Sequence, residues 1–240
     1  MTDRLINLYS DTQTRPTPEM RAAIASAEVG DEQKFEDPSV NRLCELVAEL
    51  TGKAAAMFLP SGTMCNEIAI LVHCRPGDEI YADATAHITN FEAGGPAAFA
   101  GAVTHSIDGI NGIYSPERLA DSIRQPTRYS PTPRLVVVEQ TSNLGGGTVW
   151  PLETMRAVTD VGRSHGLSTH MDGARLYVQR VTNRVAGDEI MSEYGITVSI
   201  GLAEFDRASM KTMEDVIQAA DADMYRVKAH HHQERRAASN

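Results

Sequence analysis

Leu135-Val136-Val137-Val138-Glu139 constrains this chain more than any other stretch. It is apolar at consecutive positions and ends in a carboxylate. A strand that exposed one face to water would alternate apolar with polar, so this run predicts a strand buried on both faces, as in a parallel sheet covered by helices. Further candidate strands flank it: Ala54–Leu59, Glu79–Ala82, Ala102–Ile107 and Leu167–Met171. Between them lie helical patterns at Met64–Cys74, Pro116–Ile123 (capped by Ser115) and Leu152–His165. This β-α alternation predicts a mostly parallel, doubly wound sheet.

The N-terminal segment reads differently. Asp11–Pro18 is turn-rich, and Pro16 and Pro18 bias their predecessors to extended backbone, which predicts an arm. Thr17 then caps a helix that opens on Pro18. After an acidic loop, Ser39 is the expected cap of a helix carrying Val40, Leu43, Leu46, Val47 and Leu50, which Gly52 ends. Beyond Tyr177 the pattern changes again. Ile196–Ala203 reads as an apolar strand, and an amphipathic helix follows with Met213, Val216, Ile217, Ala220, Met224 and Val227 on one side. His230-His231-His232 reads as part of a polar tail rather than a metal site, because adjacent helical residues point in different directions.

Composition narrows the partners. A net charge of −10 disfavours nucleic acid and anionic membrane surfaces. Cys44, Cys65 and Cys74 have no zinc spacing and read as reduced, buried thiols. Met1–Asn7 has no apolar leader core, and no apolar run is long enough to span a bilayer, so a cytoplasmic protein is expected.

Chemistry-bearing residues gather at predicted strand ends. Pro60-Ser61-Gly62-Thr63 opens a helix, whose free amides and dipole suit an anion, although a plain capped start explains it equally well. His87 follows the next strand, as a ring to stack on a planar ligand, a base, or a loop histidine. Glu139 ends the long apolar strand, and Gly145-Gly146-Gly147 follows. In Leu167–Leu176 a strand ends in Asp172, a glycine turn and Arg175, either a structural ion pair or half of a cofactor clamp. Ligands in open α/β sheets bind beyond the carboxyl ends of the strands, so these residues share the ligand side.

Several pieces together resemble the threonine aldolase and phenylserine aldolase family, β-eliminating lyases among the fold-type I pyridoxal-phosphate (PLP) enzymes. They are Ser10–Thr17, Val29-Gly30-Asp31, Glu36–Asn41, Leu59–Met64, Glu92-Ala93-Gly94-Gly95, Gly145–Leu152 and His170–Leu176. Glu139–Leu144 is similar to the phenylserine-cleaving branch, with Ser142 where many relatives carry histidine. Over about residues 4–177 the resemblance implies an incomplete fold-type I large domain, spanning 1–177, followed by a small strand–helix segment. It implies PLP as cofactor, held by Ser61, Gly62, Thr63, His87, Glu139, Asp172 and Arg175. Asp172 would keep the ring nitrogen protonated, His87 would stack on the ring and serve proton transfer, and Arg175 would meet the ring hydroxyl. Ser10 would hold the carboxylate of a small amino-acid substrate, and no metal is expected. The implied reaction cleaves a β-hydroxy-α-amino acid to glycine and an aldehyde. A homo-oligomer also follows from the resemblance.

The lysine that anchors PLP in this family follows a strand beyond the Asp-Gly-Ala-Arg motif, in a Ser-Lys-Gly context. The four lysines here, Lys34, Lys53, Lys211 and Lys228, do not stand in it, so impaired turnover is expected. Residues 178–240 instead resemble the end of a GGDEF (diguanylate cyclase) domain, through Thr197–Ala203 and Ala219–Lys228. That suggests an alternative: a non-catalytic chimeric or interaction protein with a remnant cyclic-dinucleotide signalling tail.

Overall fold

The computed structural model describes residues 10, 13, 15–176 and 197–199. The chain divides into two compact units, 1–46 with 204–240, and 47–203. In the first, α1 (Pro18–Ser26) starts as expected, with Thr17 Oγ1 accepting from the Met20 N–H. The helix α2 (Pro38–Thr51), which runs across the division, is not capped by Ser39. Asp37 takes that place: its carboxylate accepts from the Val40 N–H at 2.9 Å and the Gly30 N–H at 3.0 Å. Ser39 donates instead to the Glu28 carbonyl. A carboxylate with two oxygens satisfies the helix start and the preceding loop together, which a hydroxyl at position 39 does not. Ser10 belongs to this unit, and its carbonyl accepts from the Gln13 N–H.

The second unit is built on β1 (Asp78–Asp83), β2 (Val103–Ile107), β3 (Thr132–Glu139), β4 (Ser168–Asp172) and β5 (Thr197–Ser199). All pair in parallel, in the order β2-β1-β3-β4-β5. Helices α3 (Gly62–His73), α4 (His87–Asn90), α5 (Gly95–Ala100), α6 (Pro116–Ser122) and α7 (Leu152–Ser164) connect them. The central strand has the predicted two-sided burial. Val136 and Val138 pack with Tyr114, Trp150, Met155 and Val158 on one face, and Leu135 and Val137 with Ile70, Ala86, Ala100 and Ala102 on the other. Each of the buried valine, leucine, isoleucine and methionine side chains contributes about 1.5–3 kcal/mol by leaving water. Cys74 is buried in the second cluster as a small apolar group, while Cys44 and Cys65 are half-buried, and all three are free thiols.

One expected strand does not form. Residues 54–59 have no regular structure, and Met57 and Phe58 are 76% and 48% exposed. Their apolar run meets no sheet edge, and without a ladder partner the backbone has no reason to stay extended as a strand. Conversely, α4 and α5 were not expected. They are short helices, and α5 starts at a glycine turn, where Gly94 has φ 76°. The strand expected near 196–203 docks at the sheet edge, through His170–Thr197, Met171–Val198 and Asp172–Ser199 pairs. The helix expected after it and the histidine run lie outside the described residues. Among the described residues no helix is long and apolar enough to cross a membrane.

Candidate functional site

The site forms where β3 and β4 end beneath α3. Parallel pairing sets Glu139 level with Asp172. Side chains alternate along a strand, so Glu139, His170 and Asp172 share the face covered by α3. All three are buried. α3 begins at Ser61, whose hydroxyl accepts from the Met64 N–H at 3.2 Å and whose carbonyl accepts from the Cys65 N–H. The Gly62 and Thr63 amides are the two of the first turn that this cap does not take. A Cβ at Gly62 would meet nothing within 4 Å, so the helix mouth is open.

Asn66, one turn into α3, ties the site together. Its Nδ2 donates to Asp172 Oδ2 at 2.9 Å and to Glu92 Oε1 at 3.1 Å, while His170 Nε2 donates to its Oδ1 at 3.0 Å. Flipping the amide would set its oxygen against two carboxylates, so the network fixes its orientation. Asp172 Oδ1 also accepts from the Ala174 N–H in the turn that carries half-buried Arg175. Glu139 joins two loops, accepting from the His87 N–H and the Asn143 N–H, each at 3.0 Å.

His87 stands at the start of α4 with its side chain 29% exposed. Its Nδ1 meets Glu92 Oε1 at 2.6 Å, and its ring lies against Phe91 with centroids 5.3 Å apart. The His87 nitrogen and one oxygen each of Glu92 and Asp172 lie within 4.8 Å of one another. The structure therefore gathers His87, Glu139 and Asp172 with the α3 mouth. Ser10 lies in the other compact unit. Asn66, Glu92 and His170 were not among the expected site residues. Glu92 and His170 stood inside the quoted motifs, but nothing in their spacing marked them as hydrogen-bond partners.

The electrostatics are those of a place short of positive charge. Burial raises the proton affinity of Asp172 against the pull of its Ala174 and Asn66 hydrogen bonds, and burial followed by the Asp172 charge raises that of Glu139. Glu92 is pushed up by burial, but hydrogen bonds from His87, Asn66 and Thr63 bring it below its ordinary range. The hydrogen bond to Glu92 raises His87, with further help from the Asp172 and Glu139 charges. A buried carboxylate held by neutral donors, beside an imidazole and an open helix mouth, fits a ligand with a protonated ring nitrogen and an anionic arm. PLP has both groups.

A lysine is not among these residues. Lys53 is the one lysine of residues 47–203, and its pKa is lowered by burial and then by Arg163, in the last turn of α7 before β4 begins. Lys211 and Lys228 lie outside the described residues.

Comparison with known proteins gives the chain its relatives. The chain is 37% identical over 216 residues to the probable low-specificity L-threonine aldolase 2 of Arabidopsis thaliana, covering 83% of this chain and 60% of the relative. It is 38% identical over 174 residues to the low specificity L-threonine aldolase of Escherichia coli K12, covering 72% and 51%. The chain thus spans about half the length of the curated relatives it matches. Among solved structures, the Leishmania major threonine aldolase shares the fold, with a TM-score of 0.54 and 24% identity over 59% of this chain and 41% of that one. The comparisons do not support a GGDEF-like segment at 178–240. The model of the β-eliminating lyase family instead runs over residues 7–222, and on that match the chain belongs to this family.

Proposed function

We propose that this chain carries the cofactor-holding part of a PLP-dependent carbon–carbon lyase of the threonine and phenylserine aldolase type, which cleaves a β-hydroxy-α-amino acid to glycine and an aldehyde. The observation that carries this reading is Asp172, buried at a strand end with only neutral donors identified on its oxygens, beside His87 and level with Glu139. Asp172 would hold a protonated pyridine nitrogen. The Gly62 and Thr63 amides, with the Ser61 and Thr63 hydroxyls, would hold the phosphate, and Arg175 the ring hydroxyl. Bound there, PLP supplies an electron sink for the carbanion left when Cα–Cβ breaks.

The other roles belong to the chain. Glu92 takes His87 Nδ1, so Nε2 is the ring atom left to accept or return a proton. Glu139 holds the amides at 87 and 143 in place. Ser10 would bind the substrate carboxylate. Because none of the four lysines stands in the family's Ser-Lys-Gly context, turnover is expected to be weak. The non-catalytic alternative finds no support in the comparisons.

Two neighbouring expectations belong to this reading. A boundary near 177, separating a large-domain part from residues 178–240, is tested by limited proteolysis. A homo-oligomer would cover the apolar side chains exposed on α3 and α5, Met64, Leu71, Val72 and Phe99, and light scattering tests it. For the site itself, purified protein is titrated with PLP, followed by visible absorbance, and assayed with phenylserine and threonine. Saturable binding that Asp172→Asn weakens by on the order of 100-fold or more is the expected result. Absence of binding by the unaltered protein would sink the reading.

A further inference from the structure

Asn66 and Glu67 are neighbours on α3, yet only one of them is satisfied. Glu67 is 6% exposed, and neither of its carboxylate oxygens has a hydrogen-bond partner. It lies against Gly95, where a Cβ would collide with its carboxyl group. The Gly95 N–H in turn donates to the Glu92 carbonyl at 2.8 Å. Glu67 thus packs on the turn that carries Glu92, which its helix neighbour Asn66 also reaches, and Glu92 Oε2 is likewise buried and unpartnered while its Oε1 serves His87 and Asn66. Two ionised carboxylates buried together are costly, above all where one of them, Glu67, has no donor at all, and one proton between them removes most of that cost.

We propose that Glu67 is a positioning residue of this site: with Glu92 it forms a buried carboxyl pair that keeps one proton, and through Glu92 it sets the charge of His87. Its catalytic meaning rests on the cofactor reading above, but the coupling belongs to the chain without any ligand. With the proton on Glu67, Glu92 is the anion that receives Nδ1–H of His87. When Glu67 ionises, a second negative charge arrives, and His87 holds its second proton to higher pH.

The groups around Glu67 allow this. α5 carries no ionisable side chain, and neither does β5 over Thr197–Ser199. β3 brings Glu139, β4 brings His170 and Asp172, α4 brings His87, and the turn between α4 and α5 brings Glu92. Cys65 and His73 are the other ionisable groups on α3 itself. Of all these, Glu92 is the one whose charge bears on Glu67. Burial first, and the Glu92 charge second, push the Glu67 carboxyl up to about 7.

The test follows His87 by ring ¹⁵N NMR across pH in the ligand-free protein, with Glu67→Gln alongside. The unaltered protein should show His87 titrating in two steps, one near the Glu67 midpoint. Glu67→Gln keeps the shape but loses the charge, so His87 should titrate in one step, with its midpoint lower by roughly half a unit or more. Superimposable His87 curves in the two folded proteins would overturn the proposal. Should the variant fail to fold, the Glu67 carboxyl is read directly by ¹³C NMR in the unaltered protein. A midpoint near 7 supports the pair, and one at the ordinary glutamate value of about 4.3 refutes it. PLP binding, measured separately by dialysis, shows whether the cofactor reading stands, independently of the coupling.

Discussion

The two ends of this sheet treat buried acids in opposite ways. Toward the amino end, Glu79 is fully buried and meets the Arg124 guanidinium at 3.3 Å and the Tyr81 hydroxyl at 2.5 Å, and Asp78 meets Arg134 at 3.2 Å. At the carboxyl end, Glu139 is held by two backbone amides, and Asp172 by one amide and a carboxamide. An acid paired with arginine has its charge answered inside the protein. An acid held by neutral donors keeps attraction in reserve for a cation that arrives later. On the proposed reading, similar burial serves structure at one end and reception at the other.

The largest test of this contrast is Asp172→Asn against Arg124→Ala. Asp172→Asn should weaken PLP binding by on the order of 100-fold or more in an absorbance titration, because a desolvated charge pair loses one member. Arg124→Ala should leave that affinity unchanged while lowering stability by about 1 kcal/mol in urea denaturation, since Glu79 loses its half-exposed guanidinium but keeps the Tyr81 hydroxyl. If both variants lost PLP affinity equally, the distinction between the ends would break. Next in size is Asn66→Ala, which takes a donor from Asp172 and from Glu92 together. A loss of roughly 1–3 kcal/mol in stability is expected, with weaker PLP binding in the same titration.

How far the sequence announced this contrast differs from residue to residue. Leu135–Val138 gave away a two-sided sheet, and strand ends pointed to His87, Glu139 and Asp172, because periodicity records burial and topology records where loops open. The partners that complete the site left no such trace. Asn66 sits at an ordinary helical position, and its bonds to Asp172 and His170 span more than a hundred residues, a separation that no local pattern encodes. Met57 and Phe58 misled for the same reason: an apolar run signals a wish for burial but not whether a neighbouring strand exists to grant it. Asp37 replaced Ser39 as cap because Gly30, in another loop, also needed an acceptor.

Smaller effects sharpen the picture through pH. Asp172, Glu139 and Glu67 all bind protons more tightly folded than unfolded, so their contribution to stability is full below about 4 and is lost as pH rises through their folded values. For Glu67 that window closes near 7, and Glu67→Gln should flatten this part of a denaturation-against-pH curve. His87, also raised, contributes stability that is present below its unfolded value and fades as pH climbs past its folded one. The smallest expected change is Ser61→Ala, which costs about 1 kcal/mol by removing the α3 cap, read by thermal denaturation.

The level pairing of Glu139 with Asp172 has a consequence for how such a protein can vary. Between them run some thirty residues of crossover, and that length is free to change so long as both strands return to the same rung. The hydrogen-bonded ladder acts as a caliper: insertions can reshape what approaches the two acids, but the gap between them is inherited from the backbone.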